Sequence, residues 1–192
     1  TLARRIIAHI DFLDSSINEL SVEIAGRCDP FQKLIDRWSE IPGVGTTLAE
    51  IVIAETGDMA SFATAQQLTA WAGVAPANHE SAGKRRPAGT RHGTRWLRRA
   101  LVEAARAAAH TKNTYLAAQY SRIARRRGTN KAAVAVASSI LTIMWHMAKT
   151  GDPYHELGAE HFDRPKDPTR EAQQLIARLE QLGYRAHLEP AA

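Results

Sequence analysis

A serine, a glycine and a run of cations lie together in the segment Asn78–Arg86, which is the part of the sequence best suited to chemistry. A serine hydroxyl is a weak nucleophile at neutral pH and needs a proton acceptor, for which His79 or Glu80 is a candidate. Attack on a phosphodiester also requires neutralisation of the charge that develops at phosphorus. The cations that follow Ser81 are Lys84, Arg85 and Arg86. Because side chains so close in sequence often point apart, the loop taken alone favours a phosphate-binding or structural hydroxyl over a nucleophile.

A cationic helix start follows this loop in the segment Gly89–Leu101. Thr94 is a good N-cap residue, and residues three and four positions after Arg95 share its helix face. The arginines of the segment are Arg91, Arg95, Arg98 and Arg99. The residues expected to face the core are Leu97, Ala100, Leu101 and Ala104. The pattern predicts a helix that presents positive charge beside the serine loop.

The segment Ile41–Ala49 has the pattern of a helix-hairpin-helix motif, in which one helix ends at a tight glycine turn and another begins at once. Glycines allow backbone conformations that other residues resist, and the exposed amides at a helix start attract phosphate. The predicted backbone contacts to DNA are Gly43, Gly45, Thr46 and Thr47. Such contacts would bind the DNA phosphates without recognising the base sequence. The alternative is a tight turn between two helices that binds no ligand.

The charge of the chain is uneven. Its 192 residues carry a formal net charge of +5 and a pI of about 9.7, yet residues 81–102 and residues 122–131 contain no Asp or Glu. The second block contributes Arg122, Arg125, Arg126, Arg127 and Lys131. Concentrated, unneutralised positive charge attracts polyanions such as DNA. A solvated basic face without a ligand is the alternative.

Other kinds of site find little support in the sequence. Cys28 is the single cysteine, which excludes an intrachain disulfide and a cysteine-rich zinc site and fits a reducing cytoplasm. The acids are scattered, with Glu50, Glu55 and Asp58 as the nearest approach to a cluster, so no metal site is predicted in this chain. Tyr120 lacks the arginine and histidine framework of a tyrosine recombinase. No run of about 18 apolar residues occurs, so no membrane span is predicted.

Helical patterns dominate the elements that must position these residues, and the sequence predicts an all-α fold. Apolar residues spaced alternately four and three apart form a seam near the start of the chain: Ile6, Ile10, Leu13, Ile17, Leu20 and Ile24. This spacing is typical of a coiled coil, although a single amphipathic helix packed on its own domain gives the same pattern. The helix begins without a capping signal, from which we expect the chain to be part of a longer protein.

Three regions are predicted along the chain. Residues 1–28 are the end of a coiled-coil helix, residues 29–155 form a compact helical domain with the hairpin and the long basic loop, and residues 156–192 are an acidic, mobile tail with a short helix. The turn Gly26–Pro30 is expected to end the first helix, with Asp29 capping the next. A further break is expected at Gly128–Asn130.

The three motifs, in this order, resemble insertion-sequence transposases of the DEDD-plus-serine type, the "IS one-ten" family, to which pilin-gene-inverting recombinases are related. The resemblance covers about Trp38 to Tyr154. Its hairpin and loop positions are Ile41-Pro42-Gly43-Val44-Gly45, Phe62, Ala72-Gly73-Val74-Ala75-Pro76 and Ser81-Ala82-Gly83-Lys84. Its later positions are Gly93, Arg95, Leu97, Arg98, Ala100-Leu101, Gly128, Lys131, Ala132, the apolar helix to Met147, and Tyr154. The family commonly has Ser-Ser-Gly or Ser-Gly where this chain has Ser81-Ala82-Gly83.

The resemblance implies more than the residues themselves do. It makes Ser81 the nucleophile of a DNA transposase or recombinase, with Mg²⁺ bound by an RuvC-like domain outside this chain. It also implies a guide (bridge) RNA, a homo-oligomer joined through the coiled coil, and a cytoplasmic, nucleoid-associated location. This chain alone is expected to bind DNA without cleaving it. The alternatives are a non-enzymatic helix-hairpin-helix module that binds nucleic acid, and a piece whose main role is oligomerisation.

Overall fold

The computed structural model describes residues 1–76, 89–90, 92–162, 176–177, 179–181 and 183, together with the backbone of residues 80–81 and 84–85. The chain divides into two compact units, Thr1–Ala159 and Glu160–Ala192. In the second unit, residues 160–162 belong to the 3-10 turn Ala159–Phe162, and residues 176–177 and 179–181 are helical.

The described part of the first unit is built from helices, which confirms the predicted all-α class. They are α1 (Leu2–Cys28), α2 (Gln32–Trp38), α3 (Thr46–Thr56), α4 (Ala65–Trp71), α5 (Arg95–Ala108), α6 (Tyr115–Arg127) and α7 (Thr129–Thr150). Two antiparallel strands of two residues each, β1 (Glu80–Ser81) and β2 (Lys84–Arg85), lie between α4 and α5. Threonine caps start three of the helices, because the hydroxyls of Thr64, Thr94 and Thr114 each accept a hydrogen bond from a first-turn amide.

Helix α7 is the centre of the core and packs against α2, α4, α5 and α6. Its buried residues recur at helical spacing along one side: Ala132, Ala133, Val136, Ala137, Ile140, Leu141, Met144 and Met147. The alanines let neighbouring helices approach closely. The indole of Trp38, which is fully buried, donates to the carbonyl of Met144 at 3.0 Å and fixes α2 against α7.

The same helix has the length and mean hydropathy, 22 residues and 1.3, of a helix that could cross a membrane. Buried core helices of folded domains have the same composition, and α7 packs against four other helices of this chain. Eight of its 22 residues are buried in this core.

The predicted break Gly26–Pro30 is confirmed, because α1 ends within it at Cys28. The start of the next helix is wrong: Asp29 does not cap α2 but is the first residue of a 3-10 turn, Asp29–Phe31, that precedes it. Burial raises the pKa of the Cys28 thiol, with further contributions from Glu50 and Asp29. At the later break, Gly128 alone separates α6 from α7, since α7 already begins at Thr129.

The segment after α7 is held to the helices by hydrogen bonds at three places. Arg37 donates to the carbonyl of Gly151 at 2.6 Å, and the amide of Tyr154 donates to Glu40 at 3.2 Å. The Glu156 carboxylate accepts from the amide of Tyr115, the first residue of α6, at 2.7 Å and from the Tyr154 hydroxyl at 2.9 Å. Residues 151–158 therefore connect the ends of α2, α6 and α7.

Candidate functional site

The loop that carries Ser81 begins and ends at one place in the fold. Pro76 and Thr90 pair as an antiparallel bridge across its base. Directly after it, Gly93 lies so close to the backbone of Ala72 and Gly73 that a side chain at this position would clash. The loop therefore follows the carboxyl end of α4, and α5 begins directly after it.

Within this loop the backbone forms a short hairpin. Ser81 lies opposite Lys84, and Glu80 lies opposite Arg85, in the antiparallel pair β1–β2. The pairing places the backbone of a cationic residue across from the serine. Of the predicted site residues, Arg86 and Arg91 lie outside the described residues, as do the side chains of Ser81, Lys84 and Arg85.

The other predicted arginines line a groove of about 520 Å³ between α5 and the start of α7. We call it the arginine groove, and its lining residues are His92, Gly93, Arg95, Arg98, Arg99, Val102, Glu103, Arg106, Asn130 and Val134. The core side of α5 is as predicted: Leu97 and Leu101 are fully buried, so α5 turns its arginines away from the core. The structure thus brings together Arg95, Arg98 and Arg99 on one wall.

An acid also lies in the arginine groove. Arg99 and Glu103 form an ion pair at 3.2 Å, one turn apart on α5, with side chains that are 77% and 62% exposed. An exposed pair of this kind contributes little to stability and leaves both groups accessible to a ligand.

The groove contains polar residues that the sequence analysis did not select, namely His92, Arg106 and Asn130. Arg106 lies seven residues, about two helical turns, after Arg99, so the helical period of α5 carried a signal for it. Nothing local in the sequence indicated Asn130, because it joins the groove only through the packing of α7 against α5.

The predicted hairpin has two glycines with different surroundings. Gly43 has a φ of +83°, and a side chain there would collide with the backbone of Ala104 and Ala108 on α5. This glycine is therefore required by the packing of the turn on α5. Gly45 has open space around it, and with Thr46 and Thr47 it forms the exposed start of α3. Contact between these amides and a phosphate stays a prediction.

A protein site for a metal ion needs several ligand side chains close together. Among the residues that the structure describes, no three or more His, Cys, Asp or Glu side chains are grouped so that they could hold a metal ion. The described residues therefore do not fit Mg²⁺.

These features define a helical domain in which an anchored serine loop leads into an arginine-lined groove. Residues 36–121, which include the hairpin, the loop and the arginines of α5, match the model of the transposase IS116/IS110/IS902 family. The resemblance to insertion-sequence transposases is confirmed at this level.

Individual relatives agree with this match. The chain is 34% identical over 122 residues to the transposase for insertion sequence element IS1111A of Coxiella burnetii, covering 62% of the chain and 34% of that protein. It is 30% identical over 158 residues to the transposase-like protein y4pF/y4sB of Sinorhizobium fredii, covering 80% of the chain and 39% of that protein. With the transposase for element IS1328 of Yersinia enterocolitica the identity is 27% over 158 residues, covering 78% of the chain and 46% of that protein.

The chain thus spans less than half the length of these relatives. The family match and the relatives agree that residues 36–121 are similar to transposases of the IS116/IS110/IS902 type.

Proposed function

We propose that this chain is the DNA-handling, serine-bearing part of an insertion-sequence DNA transposase or recombinase of the DEDD-plus-serine type. The single observation that carries the proposal is the match of residues 36–121 to the transposase family, a segment that contains both Ser81 and the arginines of α5. The geometry supports it in one respect: the serine loop is anchored at its base and leads directly into α5.

Ser81 is the nucleophile in this proposal. Its hydroxyl oxygen forms a bond to the phosphorus of a DNA phosphodiester, while the bond from phosphorus to one deoxyribose oxygen breaks. The serine proton passes to a base, for which His79 and Glu80 are the candidates in the chain, and the departing oxygen takes up a proton. A DNA hydroxyl later attacks the protein–DNA ester, which restores the serine and joins the exchanged strand.

The cations around the serine hold the phosphates and neutralise the charge of the transition state. In the loop they are Lys84, Arg85, Arg86 and Arg91, and on α5 they are Arg95, Arg98 and Arg99. The exposed amides at the start of α3 make a second contact to the phosphates of the DNA backbone, and this contact does not depend on the base sequence. Binding of this kind weakens steeply as salt is added, because counterions are released from the phosphates.

Further partners follow from the resemblance alone. An RuvC-like domain outside this chain supplies the site for Mg²⁺, which stabilises charge on the reacting phosphate. A guide (bridge) RNA selects the DNA, and copies of the protein assemble through the seam of α1. The protein acts on DNA in the cytoplasm, at the nucleoid.

The central test replaces the nucleophile. In a protein that contains this chain together with the metal-binding domain, Ser81→Ala should abolish recombination and the covalent protein–DNA adduct while leaving DNA affinity unchanged. Ser61→Ala, at an exposed serine elsewhere in the matched segment, is the control and should recombine normally. Recombination by the Ser81→Ala protein would show that the nucleophile lies elsewhere.

A non-enzymatic nucleic-acid-binding module is the second candidate, and the arginine groove favours it independently of Ser81. A pure binder forms no covalent adduct with DNA under any condition. Trapping on a denaturing gel, with the metal-binding domain present, separates the two candidates.

A further inference from the structure

We propose that the arginine groove is a binding track for consecutive phosphates of a nucleic-acid backbone, with Arg106 and Asn130 as further contacts. This inference takes the nucleic-acid ligand from the proposed function, but it does not depend on the role of Ser81. The chemistry recognised is the phosphodiester backbone, which DNA and RNA share.

The length of the groove supports several contacts in a row. Arg95 and Arg106 both line it and are eleven positions apart on α5, which corresponds to about 16 Å along the helix axis. A nucleic-acid duplex carries one phosphate per strand for about every 3.4 Å of its axis. The four arginines of the groove therefore match a stretch of backbone and not a single anion.

The second wall of the groove extends the track. Asn130 lies in the first turn of α7 and lines the groove opposite α5. It follows closely on the basic last turn of α6, which carries Arg125, Arg126 and Arg127. Of the second acid-free block, residues 122–131, the groove is lined by Asn130 alone, while the first block, residues 81–102, supplies Arg95, Arg98 and Arg99.

Glu103 gives the groove an internal counter-charge, which the ligand must displace from Arg99. The pair is exposed, so separating it costs little, and a backbone phosphate is a better partner for Arg99 because it is an obligatory anion with several acceptor oxygens. An acidic protein segment would be attracted by the same charges, so competition by such a segment is included in the test.

The test measures binding of a short labelled DNA duplex and an RNA of the same sequence to the whole chain, as a function of salt. Arg106→Ala should weaken binding about tenfold and lower the salt dependence by about one unit of slope. Glu103→Gln should strengthen binding about threefold, because it removes the competing carboxylate. The DNA and RNA arms report which nucleic acid fills the groove, and strengthening by Glu103→Gln with either one supports the proposal.

Matched controls come from α1, where Arg27 and Glu23 form an exposed ion pair with the same spacing of four residues. Arg27→Ala and Glu23→Gln change the net charge identically and should alter binding less than twofold. Thermal melting of each variant checks folding, which should be unaffected because Glu103 and Arg106 are exposed.

Equal effects of the α1 and α5 variants would overturn the proposal, because they would show that only net charge matters. Polyglutamate that competes as well as DNA would overturn the phosphodiester assignment. The proposed chemistry is tested separately by Ser81→Ala. If Ser81→Ala abolishes recombination while Arg106→Ala binds nucleic acid as the unaltered chain does, Ser81 remains the proposed nucleophile and the proposal for the groove is wrong.

Discussion

Gly43 and Gly45 show how two glycines in one motif carry different constraints. Gly43 combines a left-handed backbone with direct contact against α5, whereas Gly45 has a φ of −102° and no atom within 4 Å of an added Cβ. From the sequence motif, both glycines are predicted to contact phosphate in the same way. The structure makes Gly43 part of the α3–α5 packing and leaves Gly45 with the accessible amide.

Alanine substitutions should separate these roles. Gly43→Ala combines backbone strain with a collision against a helix backbone, and we expect a loss of about 3 kcal/mol or more in the free energy of unfolding. Gly45→Ala should cost less than about 1 kcal/mol, since a non-ideal N-cap is its main penalty. Urea unfolding of both variants is the measurement. Equal stability of the two would contradict the packing assigned to Gly43.

Sequence reasoning worked best for single residues whose partners are local. Thr94 caps α5 as predicted, with its hydroxyl accepting from the Leu97 amide at 3.3 Å, because a cap depends only on the next three residues. The break Gly26–Pro30 was also found from local residues, since α1 ends within it at Cys28.

At the scale of elements, the segment 151–158 acts as a brace between helices. Glu156 is its main contact, because its carboxylate accepts from the amides of Tyr115 and Gly158 and from the hydroxyl of Tyr154. Partial burial alone would raise the pKa of Glu156, but these hydrogen bonds outweigh it and lower that pKa. For Tyr154, burial and then the bond to Glu156 raise the pKa of the phenol.

A lowered carboxyl pKa makes the brace sensitive to acid. The ionised Glu156 stabilises the fold at pH values above the pKa of an unfolded glutamate, and this contribution is lost as the pH falls through the lower, folded pKa. Glu156→Gln should therefore reduce stability at neutral pH by about 1 kcal/mol, a modest figure because the carboxylate is exposed. The difference from the unaltered chain should shrink in acid.

Urea unfolding at neutral and acidic pH checks this expectation. Glu19→Gln is the matched control, because Glu19 is an exposed carboxylate on α1 whose hydrogen-bond donor is the hydroxyl of Ser15. A difference between Glu156→Gln and the unaltered chain that does not change with pH would show that the carboxylate charge plays no part in the brace.

Contacts within one helix could be predicted from the sequence, whereas contacts between helices could not. The arginines of α5 share a face by helical period alone, so Arg95, Arg98 and Arg99 were found together. Asn130 entered the arginine groove through α5–α7 packing, which no local pattern encodes. The serine loop has no period, and the pairing of Pro76 with Thr90 depends on residues fourteen positions apart.

At the scale of the whole molecule, α1 is the feature that the first unit does not use for its own core. Apart from Cys28 at its end, its residues are not buried, and the six seam residues are between 44% and 58% exposed. A long helix with an uncovered apolar seam gains stability by burying that seam against another helix. Among the described residues, α1 packs on its own domain only near Cys28, where it contacts α3 and the 3-10 turn Asp29–Phe31, and the seam residues stay exposed.

A charge placed on the seam should therefore dissociate an assembly of copies. We predict that Ile17→Asp raises the dissociation constant of the self-associated chain by at least tenfold, because each copy would place an unpaired carboxylate in an apolar contact. Asn18→Asp adds the same charge on the adjacent, polar face and should leave association unchanged. Sedimentation over a range of concentrations measures both, and a chain that stays monomeric at every concentration would rule out the seam as a contact between copies. The family match begins at residue 36, after α1. A monomeric chain would therefore contradict only the proposed assembly, and the proposals for the arginine groove and Ser81 are tested separately.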